Sequence, residues 1–276
     1  MNKFFLPVLL ALTVLITSAP KPVHAESFAT KHERRIFYQF NEKRRDPAKT
    51  DERLKEVIYE GLVLWVGKPR KGKPTVMYLP GSGGNLYTRG HKFRWFLNKG
   101  YGVVAMAYPG MAGSKGQPSR QKIQNLANQL YRDIPKLTGS KQIILMGESL
   151  GTGVAVAIAA GKPGRANPPS ALILQAPYTS LVDLTASKNP ALLPFVAGRT
   201  DLWPSKRAIQ SVKVPTFIMH GQKDGTVPYR MGERLYQLSP AKNKVLATRK
   251  RAGHTSIWQK NVLSPLNEWL QAIHRK

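Results

Sequence analysis

Ile143-Ile144-Leu145-Met146-Gly147-Glu148-Ser149-Leu150-Gly151-Thr152-Gly153-Val154-Ala155-Val156-Ala157 is the stretch on which the fold turns. Four apolar residues read as a buried strand, a G-x-S-x-G pentad follows, and the small-residue run after it reads as a helix. A serine on so sharp a strand-to-helix turn takes a strained backbone, and the flanking glycines remove Cβ atoms that would clash there. The turn lifts the hydroxyl above the sheet edge. It also leaves the N–H of Leu150 at a helix N-terminus, facing any negative charge that develops. The pentad by itself recurs by chance in unrelated chains. The strand before it and the helix after it make Ser149 the nucleophile candidate.

Working outward, the same alternation continues on both sides. Upstream, residues 57–66 read as a strand pair bending at Glu60-Gly61, and residues 75–79 as a buried strand stopped by Pro80-Gly81-Ser82-Gly83-Gly84-Asn85. The spacing of Phe93, Phe96 and Leu97 predicts a helix over 86–98, residues 101–108 form the next strand, and a helix over 120–137 bends near Pro135. Downstream, residues 161–169 read as a turn and 171–175 as a strand. An irregular insert over 176–212 carries helical pieces at 181–186 and 205–211. A strand at 216–220, a helix at 229–238, a strand at 244–248 and a helix from about residue 263 close the chain. Short buried strands alternating with helices imply an α/β domain with a mostly parallel sheet covered on both faces. In such sheets chemistry sits beyond the carboxyl ends of the strands.

At the other end, Met1-Asn2-Lys3, an apolar run from Phe4 to Ile16 and then Val23-His24-Ala25 fit a secretory signal peptide of residues 1–25. The expectation is therefore export to the periplasm or beyond. An uncleaved anchor is the alternative, although the apolar run is short for spanning a bilayer. Residues 26–56 form a polar, basic lead-in, and residues 57–276 the α/β domain. The chain has no cysteine, so stability in an oxidising compartment must come from its core. Its 43 Lys and Arg against 15 Asp and Glu give a net charge of +28, and loss of residues 1–25 removes only Lys3 and Lys21. Such a surface attracts anionic partners, a membrane or envelope among them. The basic residues are scattered rather than gathered on one helix, and no nucleic-acid fold signature accompanies them. Nothing suggests a cofactor or a metal cluster, and a monomer is expected.

A serine hydroxyl needs an adjacent base, and the base an orienting carboxylate. His254 sits in Gly253-His254-Thr255, a loop after the last strand, where it can swing onto Ser149; His220 ends an apolar strand and reads as a packed residue. For the carboxylate, Asp224 follows a strand in a Gly-rich turn, whereas Asp183 and Asp201 fall in the insert. Glu148, inside the pentad, points away from its neighbour and reads as structural. The order Ser149, Asp224, His254 is that of one known triad arrangement.

Several stretches together carry a resemblance. They are residues 79–85, 108–116, 147–151, 176–180 and 220–228, with Gly253-His254. Over roughly residues 57–272 the chain resembles an α/β-hydrolase fold serine hydrolase, of the small-cap group that includes palmitoyl-protein thioesterase-like hydrolases and many bacterial esterases. Two departures stand out: Pro80 replaces the usual His before Gly81, and Pro109 and Ala112 replace an Arg and a Gly. The resemblance implies a backbone oxyanion hole from the Ser82 and Leu150 N–H groups. It also implies hydrolysis of a small-molecule ester or thioester through an acyl-serine. Acyl transfer or peptide cleavage on the same triad, and a non-catalytic binder of anionic surfaces, are the rival readings. The insert is short for a full lid, which implies an open pocket and a modest substrate.

Overall fold

The computed structural model describes residues 28–274, and the expected signal segment, residues 1–25, lies outside them. The first elements are α1 (Phe28–Phe37), β1 (Lys55–Tyr59), β2 (Leu62–Gly67), β3 (Thr75–Leu79), α2 (Gly90–Asn98) and β4 (Gly102–Met106). Then come α3 (Arg120–Thr138), β5 (Ile143–Glu148), α4 (Leu150–Ala160), α5 (Lys162–Ala166) and β6 (Ala171–Gln175). Helices α6 (Leu181–Lys188) and α7 (Ser205–Ala208) precede β7 (Thr216–Gly221), α8 (Tyr229–Leu238), β8 (Lys244–Arg249) and α9 (Lys260–Ile273).

One sheet runs through the molecule in the order β1-β2-β4-β3-β5-β6-β7-β8. The β1–β2 and β2–β4 pairs are antiparallel, and β4 through β8 are all parallel. Every residue of β2 to β7 is buried, which is why these strands read as unbroken apolar runs. The edge strands β1 and β8 are only partly covered. Chain connectivity puts α2 and α3 on opposite faces, since β4 lies to one side of β3 and β5 to the other and crossovers are right-handed. With α2 lies α9: Trp258, just before it, sets its ring 5.7 Å from that of Trp95 and 6.1 Å from that of Phe96. On the other face α3, α4, α7 and α8 touch in succession. Each fully buried Phe or Leu of these faces contributes about 1.5–3 kcal/mol.

Helix limits follow local chemistry. Ser119 caps α3 by accepting from Lys122 N (3.2 Å), and Gly139, at φ +78°, ends it with its N–H on Pro135 O (2.9 Å). Residues 161–169, expected as a turn, contain the short helix α5. Pro163 sits in its first turn, where a missing N–H is harmless, and Arg165 donates to Ala160 O (2.8 Å). Helix α9 starts at Lys260, three residues earlier than the sequence pattern placed it. Residues ahead of β1 are built into the domain. Buried Glu33 of α1 accepts from Arg120 N (2.6 Å) and pairs with Arg199 (2.9 Å), and Trp203 Nε1 donates to Tyr38 Oη (3.1 Å). Parallel strands deliver the ends of β3, β5, β7 and β8 to one edge, and the site is assembled there.

Candidate active site

Strand β5 ends at Glu148 and α4 begins at Leu150, so Ser149 is the single residue between them, at φ +50° and ψ −116°. Its N–H donates to Gln175 O of β6 (2.8 Å) and its carbonyl accepts from Thr152 N (2.9 Å). Those bonds hold a conformation that costs a residue with a side chain about 1–3 kcal/mol. The turn is tight because β3 presses on α4. A Cβ built on Gly151 would stand 1.9 Å from Leu79 O. The loop leaving β3 then crosses the nucleophile, and a Cβ on Gly81 would lie 3.1 Å from Ser149 Cβ. The Leu150 N–H belongs to the first turn of α4, which has no intrahelical acceptors. Among the described residues neither it nor the Ser82 N–H donates to a protein oxygen. Leu150 follows Ser149 in the chain, and Ser82 follows Gly81, the residue packed against Ser149.

Asp224 lies in the turn after β7, its side chain fully buried. Oδ1 accepts from Thr226 N and Val227 N, both at 2.8 Å, and Oδ2 accepts from His254 Nδ1 at 2.8 Å. His220 Nε2 approaches the same Oδ2 at 3.2 Å and Val227 O at 3.0 Å. Val227 O can only accept, so His220 Nε2 carries a proton and donates to both oxygens. Burial by itself raises the Asp224 carboxyl. The bonds from His220 and His254, with the Val227 N–H, outweigh it and hold the group well below the usual carboxylate range. An ionised carboxylate only accepts, so His254 Nδ1 bears the proton of this bond and Nε2 is the ring nitrogen turned away from Asp224. The competing carboxylates are engaged elsewhere, Asp183 with Lys206 (3.0 Å) and Asp201 with Arg199 (2.9 Å).

Next to Ser149, the Glu148 side chain lies in a buried polar cluster. Its carboxylate meets Lys92 Nζ (2.5 Å), Arg89 Nη2 (3.2 Å) and the Tyr78 hydroxyl. Lys92 also donates to Gln175 Oε1 (2.9 Å). Burial would raise the Glu148 carboxyl, yet the Lys92 ammonium and the Arg89 guanidinium bring it down to about 2. Arg89 does more than neutralise it. Nη2 donates to Gly83 O (2.5 Å) and Nη1 to Asn85 O (2.9 Å), so one guanidinium ties the loop after β3 to the residue preceding Ser149. Asn85 Nδ2 adds a bond to Lys43 O (3.1 Å), and Tyr108 Oη donates to Pro80 O (3.1 Å). The loop thus has fixed partners without a histidine at position 80.

Ser149, Ser82, Thr226 and His254 share one cavity of about 480 Å³. Glycines 81, 83 and 84, Thr88, His91 and Thr255 with the charged Arg89, Lys92 and Glu148 complete its wall, and no aliphatic, Phe, Tyr or Trp side chain is among the described residues lining it. A larger cleft of about 540 Å³, along α6 and α8, holds none of these groups and lies apart from the chemistry. The structure therefore brings together all five residues singled out in the sequence. It adds Arg89, Lys92 and His220, whose roles depend on partners 4 to 83 residues away.

No family model matches the chain. Among curated proteins it is 31% identical over 184 residues to the lysophosphatidylserine lipase ABHD12 of Danio rerio, covering 60% of this chain and 47% of that protein. It is 30% identical over 187 residues to human Protein ABHD12B, covering 62% and 51%. The chain thus spans about half the length of the curated relatives it matches. Among solved structures, an esterase from Pyrococcus furiosus superposes with a TM-score of 0.64 at 20% identity, over 86% of this chain and 96% of that one. A soluble variant of the monoglyceride lipase of Saccharomyces cerevisiae gives 0.59 at 16%, over 80% and 96%.

Proposed function

We propose that this chain, an α/β-hydrolase by fold, is an exported serine hydrolase that cleaves a carboxylic ester or thioester through an acyl-Ser149 intermediate. One observation carries the reading: an ionised Asp224 fixes the Nδ1 proton of His254, and His254 faces the cavity that holds Ser149. His254 Nε2 takes the Ser149 proton as Oγ attacks the carbonyl carbon, and the carbonyl oxygen collects charge opposite the Leu150 and Ser82 N–H groups. The tetrahedral adduct expels the alcohol or thiol, which leaves with the proton from Nε2. Water then attacks the acyl-serine, gives its proton to Nε2, and the carboxylic acid departs as Ser149 recovers its hydrogen.

The lipase and esterase relatives support ester chemistry in general. A cavity lined by glycine, Ser, Thr and His together with Arg89, Lys92 and Glu148 supports a short or polar acyl group over a long alkyl chain. Export rests on residues 1–25 and is tested by sequencing the mature chain, which begins at Glu26 on this reading. The activity is tested by fluorophosphonate labelling followed by a p-nitrophenyl ester series from acetate to dodecanoate. Ser149→Ala should abolish labelling and lower kcat by at least about 10³-fold, with the parent enzyme fastest on the shortest acyl groups. Labelling that survives in Ser149→Ala would place the nucleophile elsewhere, and failure of the native chain to label would overturn the reading.

A further inference from the structure

The pole of the sheet opposite the cavity has its own chemical character. Parallel pairing from β4 to β8 brings six strand N-termini to one edge, and the loops entering them are residues 68–74, 99–101, 139–142, 161–170, 212–215 and 239–243. Backbone bonds stitch these loops into one rim: Arg70 N to Gly100 O, Thr75 N to Gln142 O, Leu172 N to Pro215 O and Thr216 N to Asn243 O, at 2.8–3.0 Å. Every one of the six loops carries Lys or Arg, and none carries Asp or Glu. Loop 68–74 alone has four cations in seven residues. Lys99, Lys141, Lys213 and Lys242 come one from each of four others, and loop 161–170 adds Lys162 and Arg165. All ten are exposed except the half-buried Lys99, and among the described residues none makes an ion pair. Two aromatic rings hold ammonium groups at this rim, with Lys73 5.6 Å from the centre of Tyr101 and Lys99 5.0 Å from that of Trp95.

We infer that this pole is a docking surface for an anionic lipid bilayer, and that the protein sits on it with the catalytic cavity turned away. Ten mutually repelling cations without counter-charges keep a field that extends one Debye length, about 8 Å at physiological salt. Six strands at about 4.8 Å spacing spread those charges over a front about 24 Å wide, which suits a surface rather than a point ligand. Eight of the ten are lysines, compact charges without the planar fork that reads phosphates two bonds at a time. A diffuse field of headgroups fits that composition better than a nucleic acid does. Because strand N-termini and C-termini lie at opposite poles, a docked chain presents its cavity to solutes in the aqueous phase. This inference does not rest on the Ser149 chemistry.

The test is flotation of the mature chain with large vesicles of pure phosphatidylcholine or of phosphatidylcholine with 30% phosphatidylglycerol, at 0.15 M salt. A pole variant, Arg70→Glu/Lys71→Glu/Lys73→Glu/Lys141→Glu, is compared with a control carrying the same charge change at the cavity end, Lys43→Glu/Lys49→Glu/Lys250→Glu/Arg251→Glu. Binding only to the anionic vesicles, a drop of about 100-fold or more in the pole variant, and a drop under about tenfold in the control are expected. The pole variant should keep its turnover of a soluble ester. If its melting temperature falls, the same four positions are changed to Gln, which should still weaken flotation at least tenfold. Equal loss in both variants would mean net charge rather than the pole, and would overturn the assignment. So would no binding to anionic vesicles, or a pole-dependent preference for duplex DNA over vesicles at the same salt.

Discussion

Replacing Glu148 by Gln removes one charge and almost no volume from the cluster next to Ser149. Arg89 and Lys92 would then share a buried site with no anion between them. Breaking a buried pair on one side destabilises by about 3–5 kcal/mol. Linkage gives a second estimate. The Glu148 carboxyl titrates at about 2 in the folded chain against an ordinary 4.5, a difference worth about 3 kcal/mol at neutral pH. Lys92 works in the opposite sense, since burial lowers it below the ordinary lysine value. The network as a whole is therefore worth less than the carboxylate's share. Folding strengthens the acid, so its stabilisation is complete well above the unfolded value of 4.5 and disappears as pH falls toward 2. Urea unfolding followed by tryptophan fluorescence should show Glu148→Gln losing about 3 kcal/mol at pH 7, and that deficit should fall to about half by pH 3. A deficit under about 1 kcal/mol at pH 7, or one that stays constant down to pH 3, would refute the assignment of Glu148 as an ionised counter-charge.

Asp224→Asn should fold normally yet lose about 10³–10⁴-fold in kcat, because an amide no longer fixes the proton on His254 Nδ1. Asp183→Asn and Asp201→Asn should stay within about threefold of the parent, and equal damage from either would move the orienting carboxylate. Arg89→Lys keeps a cation for Glu148 but cannot reach Gly83 O and Asn85 O together. It should cut kcat about 10- to 100-fold while KM changes less than threefold, as expected when an oxyanion donor drifts. An unchanged kcat would show that the loop holds its shape without the guanidinium.

The features visible in the sequence share a cause. Strand β5, the Ser149 turn and α4 are consecutive, and burial on both faces makes their composition unambiguous. Asp224 and His254 were legible because each follows a strand directly, so parallel topology alone carries them to one edge. What could not be read is contact at long range. Lys92 reaches Glu148 across 56 residues, and Arg89 reaches it across 59. His220 was rightly read as packed, but its bond to Asp224 depends on how the turn over 221–227 folds back. The helix at 162–166 was hidden by Pro163 and Gly164, residues that break helices except at the first turn. The charge of the sheet's lower pole escaped a linear reading because its cations come from six separate loops.

The anchoring of α1 sets an order on biogenesis. Glu33 waits for Arg199 and Tyr38 for Trp203, 166 and 165 residues further along the chain. At synthesis speeds of about 5–20 residues per second, α1 stays undocked for about ten to thirty seconds. Strand β3 meets the same delay on a smaller scale, since Leu79 finds Gly147 only after an intervening helix-strand-helix has been made. Helix α1 is thus made well before the partners that hold it. Through that interval it is open to whatever escorts a nascent polypeptide, and β7, β8 and α9 are made later still.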